Sequence, residues 1–201
     1  TGFVPLGWWP LCLAALAGLT ALGFSATSAG SAFRSGWFFG VGHFTLGLNW
    51  IATAFTYQAE MPAILGWAAV PLLALYLAVW PAFATCAAWL IARRANLLAF
   101  ALAFGAMWIA AEWLRSWVFS GYSWGPFSMM MLGPWDRPGF AALLPYAGSY
   151  ALSGITVALA VALVWFAQAK RFVGIGLVCF VVAMVYFPAG KGRDGSLPLT
   201  L

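Results

Sequence analysis

Two charged residues set into an apolar run are the first place where this sequence could do chemistry. Glu112 is one of four acidic residues and Arg115 one of nine basic ones in a chain of 201. They fall within Trp108 to Phe127, WIAAEWLRSWVFSGYSWGPF, where an apolar run meets a segment rich in Gly, Ser and Trp. On a helix Trp108, Glu112, Arg115 and Phe119 take positions i, i+4, i+7 and i+11 and share a face, so carboxylate and guanidinium can pair at i, i+3. A charge near the bilayer centre costs about 2.5 to 3.5 kcal/mol on insertion scales, so it needs a partner or water. Three readings are open from spacing alone. The residues form a structural ion pair locking helices at the membrane edge, or a polar lining for a lipid headgroup, or two unpaired groups near the surface.

Other residue types narrow the chemistry. The single histidine, His43, cannot build a metal site by itself, so neither a metal nor a cofactor is expected. It falls on a stripe of Gly36, Gly40, His43, Gly47 and Trp50, at i, i+4, i+7, i+11 and i+14, with Asn49 beside its end. Small residues at that spacing let another helix approach closely. His43 reads either as a neutral ring hydrogen-bonded to a neighbouring helix or as a substrate contact. Cys12, Cys86 and Cys179 each lie in an apolar run, with no CxxC and no charged neighbour, which points to buried structural thiols rather than nucleophiles. No catalytic residue is assigned.

The elements that must position these groups follow from composition. Hydrophobic residues make up 65% of the chain and charged ones 6%, against about 25% charged in a soluble protein. Mean hydropathy is +0.95. Only a bilayer tolerates such a surface, and the apolar runs are too long for barrel strands. The fold class is therefore all-α, a polytopic transmembrane helical bundle of about six spans. Expected spans are Gly7–Phe24, Ser35–Tyr57, Ala63–Ile91, Leu97–Val118, Phe140–Gln168 and Phe172–Phe187. The third is too long for the hydrocarbon core and carries Pro71 and Pro81, so it should kink or tilt. Ser25–Phe33 reads as a loop, and Gly148, Ser149, Ser153 and Gly154 as small packing residues. The longest loop, Ser120–Gly139, holds Tyr122, Trp124, three consecutive Met and Trp135, and should lie in or dip into the membrane interface. The net charge of +5 is scattered between spans and forms no basic stripe, which argues against nucleic acid. Arg34, Arg93, Arg94, Lys170 and Arg171 fall on alternate loops, so those loops should face the cytoplasm. Residues 191–201 read as a linker and the opening of a strand that lacks a partner, after a helical domain over 1–190. The chain is then expected to be a fragment.

Several of these segments together resemble the membrane part of the apolipoprotein N-acyltransferases. The carriers are Glu112-Trp113-Leu114-Arg115 with the Gly121-Tyr122-Ser123-Trp124 turn, Gly36 to Ile51, and Tyr146 to Ser153. In the family the turn usually reads T-G-F-P-W, and Ser123 stands where Pro is usual, so the loop should be less rigid here. Ala151 likewise replaces a usual Gly. The tail SLPLTL is similar to the first strand of the family's nitrilase-like domain. The resemblance implies a ping-pong acyl transfer from a phospholipid, usually phosphatidylethanolamine, to a cysteine thiol, then to the α-amine of a diacylglyceryl-cysteine lipoprotein. It implies a phospholipid donor, a bacterial lipoprotein acceptor, membrane lipids as surroundings, and a bacterial inner membrane with the C-terminal tail on the periplasmic side. The family's catalytic Glu, Lys and Cys belong to the nitrilase-like domain, and no residue here matches them. These residues alone should be inactive. Their expected role is to present lipid through Glu112, Arg115, Tyr122, Trp124, Trp135, His43, Asn49 and Trp50. A small transporter or channel subunit using Glu112, Arg115 and His43 is the alternative, and a non-catalytic membrane scaffold a third reading.

Overall fold

The computed structural model describes residues 8–57, 62–118, 121–132, 139–176 and 178–179, and every regular element among them is helical. Helix α1 (Trp9–Phe24) has Pro10 in its first turn, where a missing N–H removes no helical hydrogen bond. Ser28 then caps α2 (Ala29–Gly47), its Oγ accepting from the Ser31 N–H at 3.1 Å. The stretch expected as a loop to Phe33 is thus largely helix, because a serine cap starts the helix despite the small residues around it. Arg34 lies inside α2 rather than in a turn. The second expected span is also interrupted: Leu48 and Asn49 form a turn, and a short α3 (Trp50–Phe55) follows.

The expected kink in the third span lies at Ala78, between α4 (Ala63–Leu77) and α5 (Val79–Ala92). Pro81 occupies the first turn of α5, where prolines are tolerated, whereas Pro71 sits within α4 without ending it. Helix α6 (Leu97–Trp117) begins where Asn96 Oδ1 accepts from the Ala99 N–H at 2.9 Å. Helix α7 (Leu144–Gln168) is kinked at Gly148, whose φ of 74° is reached without strain only by glycine. Gly148 is therefore a bend and not a packing residue, while a Cβ on Gly154 would press on Ile109 of α6 at 2.8 Å. Residues 172–176 and 178–179 start a further helix. The remainder of the sixth expected span, the tail and the expected strand at 191–201 lie outside the described residues, as does the turn at 58–61.

Ile64–Ala92, Leu97–Trp117 and Phe140–Gln168 are long and apolar enough to cross a membrane, and Trp9–Phe24 is a shorter apolar helix. Large side chains such as Phe38, Trp67, Leu72, Leu98 and Leu102 face outward and exposed. A soluble protein would not carry apolar surface on that scale, whereas lipid leaves it at no cost. The tightest seam joins α2 to α5. A Cβ on Gly36 would stand 2.5 Å from the Pro81 carbonyl, and one on Gly40 2.7 Å from Ala78 Cα. Small residues here let two backbones touch, as the spacing of the stripe implied.

The short connections at residues 25–28 and 93–96 fold α2 back on α1 and α6 back on α5, so the bundle has two ends. At one, Trp89 Nε1–H donates to the Ala26 carbonyl at 2.7 Å, tying the end of α5 to the α1–α2 turn. Arg93 and Arg94 are there, as is Arg34 near the start of α2. The other end carries the end of α6 and the segment after it.

Candidate functional site

The site grows from the last turns of α6. Trp108, Glu112 and Arg115 share its inward face, as their spacing requires, with Glu112 2% and Arg115 4% exposed. Phe119 lies outside the described residues. Among the described residues no hydrogen bond joins the carboxylate to the guanidinium; each holds the following loop instead. Glu112 Oε1 accepts from Trp108 Nε1–H at 3.1 Å and from the Phe127 N–H at 2.8 Å. Arg115 Nη2 donates to the Ser123 carbonyl at 3.2 Å, and its guanidinium lies over the Phe44 ring, 5.1 Å from the centroid. Glu112 Oε2 and Arg115 Nε are buried with no hydrogen-bond partner in the structure. The i, i+3 pairing open from sequence is thus replaced by two anchors one turn apart, each on a different part of the loop.

Those anchors explain the loop's path. Gly121 and Gly125 have φ of 65° and 63°, and Trp124 between them has φ 44°, a left-handed conformation unfavourable for a bulky residue. Tertiary contacts must hold it there. Trp124 packs on a small cluster of Phe44, Leu48, Ala74 and Leu77. Beyond it, the 3₁₀ turn Phe127–Met131 enters the bundle core, with Phe127, Met130 and Met131 fully buried beside Phe104 and Trp108. The Ser128 N–H donates to Ser153 Oγ of α7 at 3.0 Å. The methionine run therefore folds into protein rather than lying in the membrane interface, with Met129 alone of the three exposed. An apolar loop segment beside an open helical layer gains more by filling it than by resting on headgroups. Half-buried Leu132 and Gly139 join in an isolated antiparallel bridge.

His43 meets this loop from α2. Its ring stacks on Phe127 with centroids 4.8 Å apart and contacts Phe44 edge-on at 5.0 Å. Between α2 and the loop lies a cleft of about 200 Å³, walled by His43, Phe44, Trp50, Tyr122, Trp124 and Met129. Tyr122 and Trp124 meet edge to face at 5.1 Å, and Tyr122 and Trp50 are more than half exposed. Asn49 is exposed in the turn that leads into Trp50. The structure thus brings together His43, Trp50, Tyr122 and Trp124. It sets Glu112 and Arg115 behind the wall, where they fix the Phe127 and Ser123 backbone. Trp135 lies outside the described residues.

Four residues with clear roles carry no sequence signal of their kind. Phe44 and Phe127 read as ordinary apolar positions, Ser123 only as a substitution in the turn, and Ser153 only as a small packing residue. Trp108 was visible, since it stands one turn before Glu112 on the same face. Of the cysteines, Cys12 is buried and Cys86 half-buried, but Cys179 is exposed, which corrects the expectation of three buried thiols. Among the described residues no group of His, Cys, Asp or Glu could hold a metal.

A family profile described as the N-terminal domain of apolipoprotein N-acyltransferase matches residues 1–162. A Ralstonia nicotianae protein named apolipoprotein N-acyltransferase is 37% identical over 165 residues, covering 79% of this chain and 30% of its own. A protein of the same name from Pseudomonas aeruginosa is 36% identical over 169 residues, with the same coverage. One from Nitrosomonas europaea is 30% identical over 211 residues, covering 99% of this chain and 41% of its own. The chain thus spans between 30% and 41% of the length of these curated relatives.

Proposed function

Since this chain belongs to the apolipoprotein N-acyltransferase family, we propose that it seats lipid for the N-acylation of lipoproteins, in the bacterial inner membrane. The supporting observation is the aromatic cleft built on α2 and the loop after α6. Its volume of about 200 Å³ is below the roughly 300–1,000 Å³ of pockets that enclose whole ligands. It therefore takes part of a lipid, a headgroup or the first stretch of a chain, and leaves the remainder in the bilayer. Trp and Tyr suit that place, having an apolar body and a polar tip.

In this reading His43, Trp50, Tyr122 and Trp124 touch the lipid, Asn49 sits at its rim, Trp135 adds a further lipid contact, and Glu112 and Arg115 are positioning residues. Glu112 holds the Phe127 amide and Arg115 the Ser123 carbonyl, so the rings on either side keep their places. The donor is a phospholipid such as phosphatidylethanolamine and the acceptor a diacylglyceryl-cysteine lipoprotein. Acyl transfer goes first to a thiol and then to the acceptor's α-amine. None of Cys12, Cys86 and Cys179 acts as that thiol, and residues 1–201 alone transfer no acyl group. The cleft end faces the periplasm, as does the segment after residue 190, because the opposite end carries the arginines. Burial of Glu112 and Arg115 against the loop favours this reading over a transport pathway, which needs such groups lining water.

The test is Glu112→Gln in the full-length protein. Acylation of lipoprotein should fall several-fold while the protein still inserts. Unchanged acylation and unchanged yield would remove any role for the charge.

A further inference from the structure

A second, larger concavity lies at the arginine end of the bundle, between the antiparallel α1 and α2. Its volume is about 660 Å³, within the range of ligand pockets. Its polar residues, Ser31, Arg34 and Ser35, stand together at i, i+3 and i+4 near the start of α2. Its apolar lining continues from Leu22 to Leu19 of α1 and along Phe38 and Phe39 of α2, with Leu22 and Phe38 on the outward face. Polar head and greasy tail thus follow one another along one groove, in the order of a phospholipid standing in a leaflet.

Charge decides which phospholipid. The one carboxylate among the described residues is Glu112, which is buried and bonded to Trp108 and Phe127 near the far end of the bundle. Arg34 is exposed, and nothing acidic among the described residues answers it. Ser35 Oγ already donates to the Ser31 carbonyl at 3.1 Å, leaving the guanidinium and the Ser31 hydroxyl to meet a headgroup. His43 lies nine residues further along α2, about 14 Å at 1.5 Å per residue, so this groove is separate from the aromatic cleft.

We propose that the α1–α2 groove binds an anionic phospholipid, its phosphate on Arg34 and Ser31 and one acyl chain along Leu19, Leu22 and Phe38. The site sits in the leaflet opposite the aromatic cleft and does not depend on the acylation reading. A guanidinium near an anionic surface contributes about fivefold in affinity. Gly18 lies on the groove floor, and a Cβ there would meet no atom within 4 Å. Gly18→Leu therefore fills the groove without disturbing the helix.

The experiment is native mass spectrometry of the full-length protein, offered phosphatidylglycerol or phosphatidylethanolamine in mixed micelles. Wild type should retain phosphatidylglycerol preferentially. Arg34→Gln should reduce its retention about fivefold and leave phosphatidylethanolamine unchanged, and Arg34→Lys should restore most of it. Gly18→Leu should abolish the preference for phosphatidylglycerol while the melting temperature stays within a few degrees. Equal retention in wild type, Arg34→Gln and Gly18→Leu overturns the proposal. So does a photo-crosslinker at Phe38 that captures another segment of the same polypeptide, which would make the groove a seat for a helix.

Discussion

The two ends of this bundle handle charge in opposite ways. At one, Arg34, Arg93, Arg94, Lys170 and Arg171 are all exposed, and the connections at residues 25–28 and 93–96 are short. The Arg93 guanidinium lies over Trp89 and that of Arg171 over Trp165, at 5.3 and 5.6 Å from the ring centroids, so each of these charges rests on an aromatic face at the edge of the bundle. At the other, Glu112 and Arg115 are buried, and a long loop with left-handed residues wraps around them. Exposed charge at a membrane edge sets orientation and attracts lipid at little structural cost. Buried charge is expensive and persists only where it holds something in place. The difference marks the second end as the built site and the first as the anchor.

Substitutions can break this contrast, beginning with the seam both ends share. Gly36→Leu would drive a side chain into the Pro81 carbonyl and Ala82. Overpacking of this kind costs about 3 kcal/mol at a rigid contact, so yield and melting temperature in detergent should both collapse. Glu112→Ala comes next: it leaves Trp108 Nε1–H and the buried Phe127 N–H without an acceptor, at about 2 to 4 kcal/mol for the two. Glu112→Gln keeps an acceptor and should cost less than half of that in a chemical or thermal melt. Ser153→Ala removes the partner of the Ser128 amide, for about 1 to 2 kcal/mol. It should be felt locally, as faster amide exchange over Met129–Leu132 with α5 unaffected. Arg94→Gln, at the anchoring end, should stay within about 0.5 kcal/mol and leave acylation unchanged. If Arg94→Gln proved as damaging as Glu112→Ala, the contrast between the ends would be gone.

Much of this was legible from residue types. The helical class followed from hydropathy, and α6 and α7 lie within a residue or a few of the expected spans because each is one long apolar run between clear stops. The face shared by Trp108, Glu112 and Arg115 followed from a period of 3.6, and the close seam from Gly36 and Gly40. The breaks were harder. Gly47 and Asn49 are residues common at helix ends, but Gly47 continues the stripe of Gly36 and Gly40 and so reads as a packing position rather than a stop. The cap at Ser28 was hidden in a run of small residues that also suits a loop. The partners of Glu112 and Arg115 were out of reach for a different reason. Beyond the Trp108 side chain they are backbone atoms of Phe127 and Ser123, which the side-chain sequence does not advertise, whereas an Arg three residues from a Glu suggests a pair. The methionine turn was misjudged because apolarity alone does not say whether a segment buries itself in lipid or in protein.

The central claim, that the aromatic cleft holds lipid during acylation, is tested most directly by photo-crosslinking. Full-length protein would be exposed to phosphatidylethanolamine carrying a diazirine near the headgroup, and adducts mapped by peptide sequencing. The expected result is labelling at Trp50, Tyr122, Trp124 or Met129, reduced several-fold in Glu112→Gln. Labelling confined to the outward faces of α1, α4 and α7, unaffected by that substitution, would contradict it.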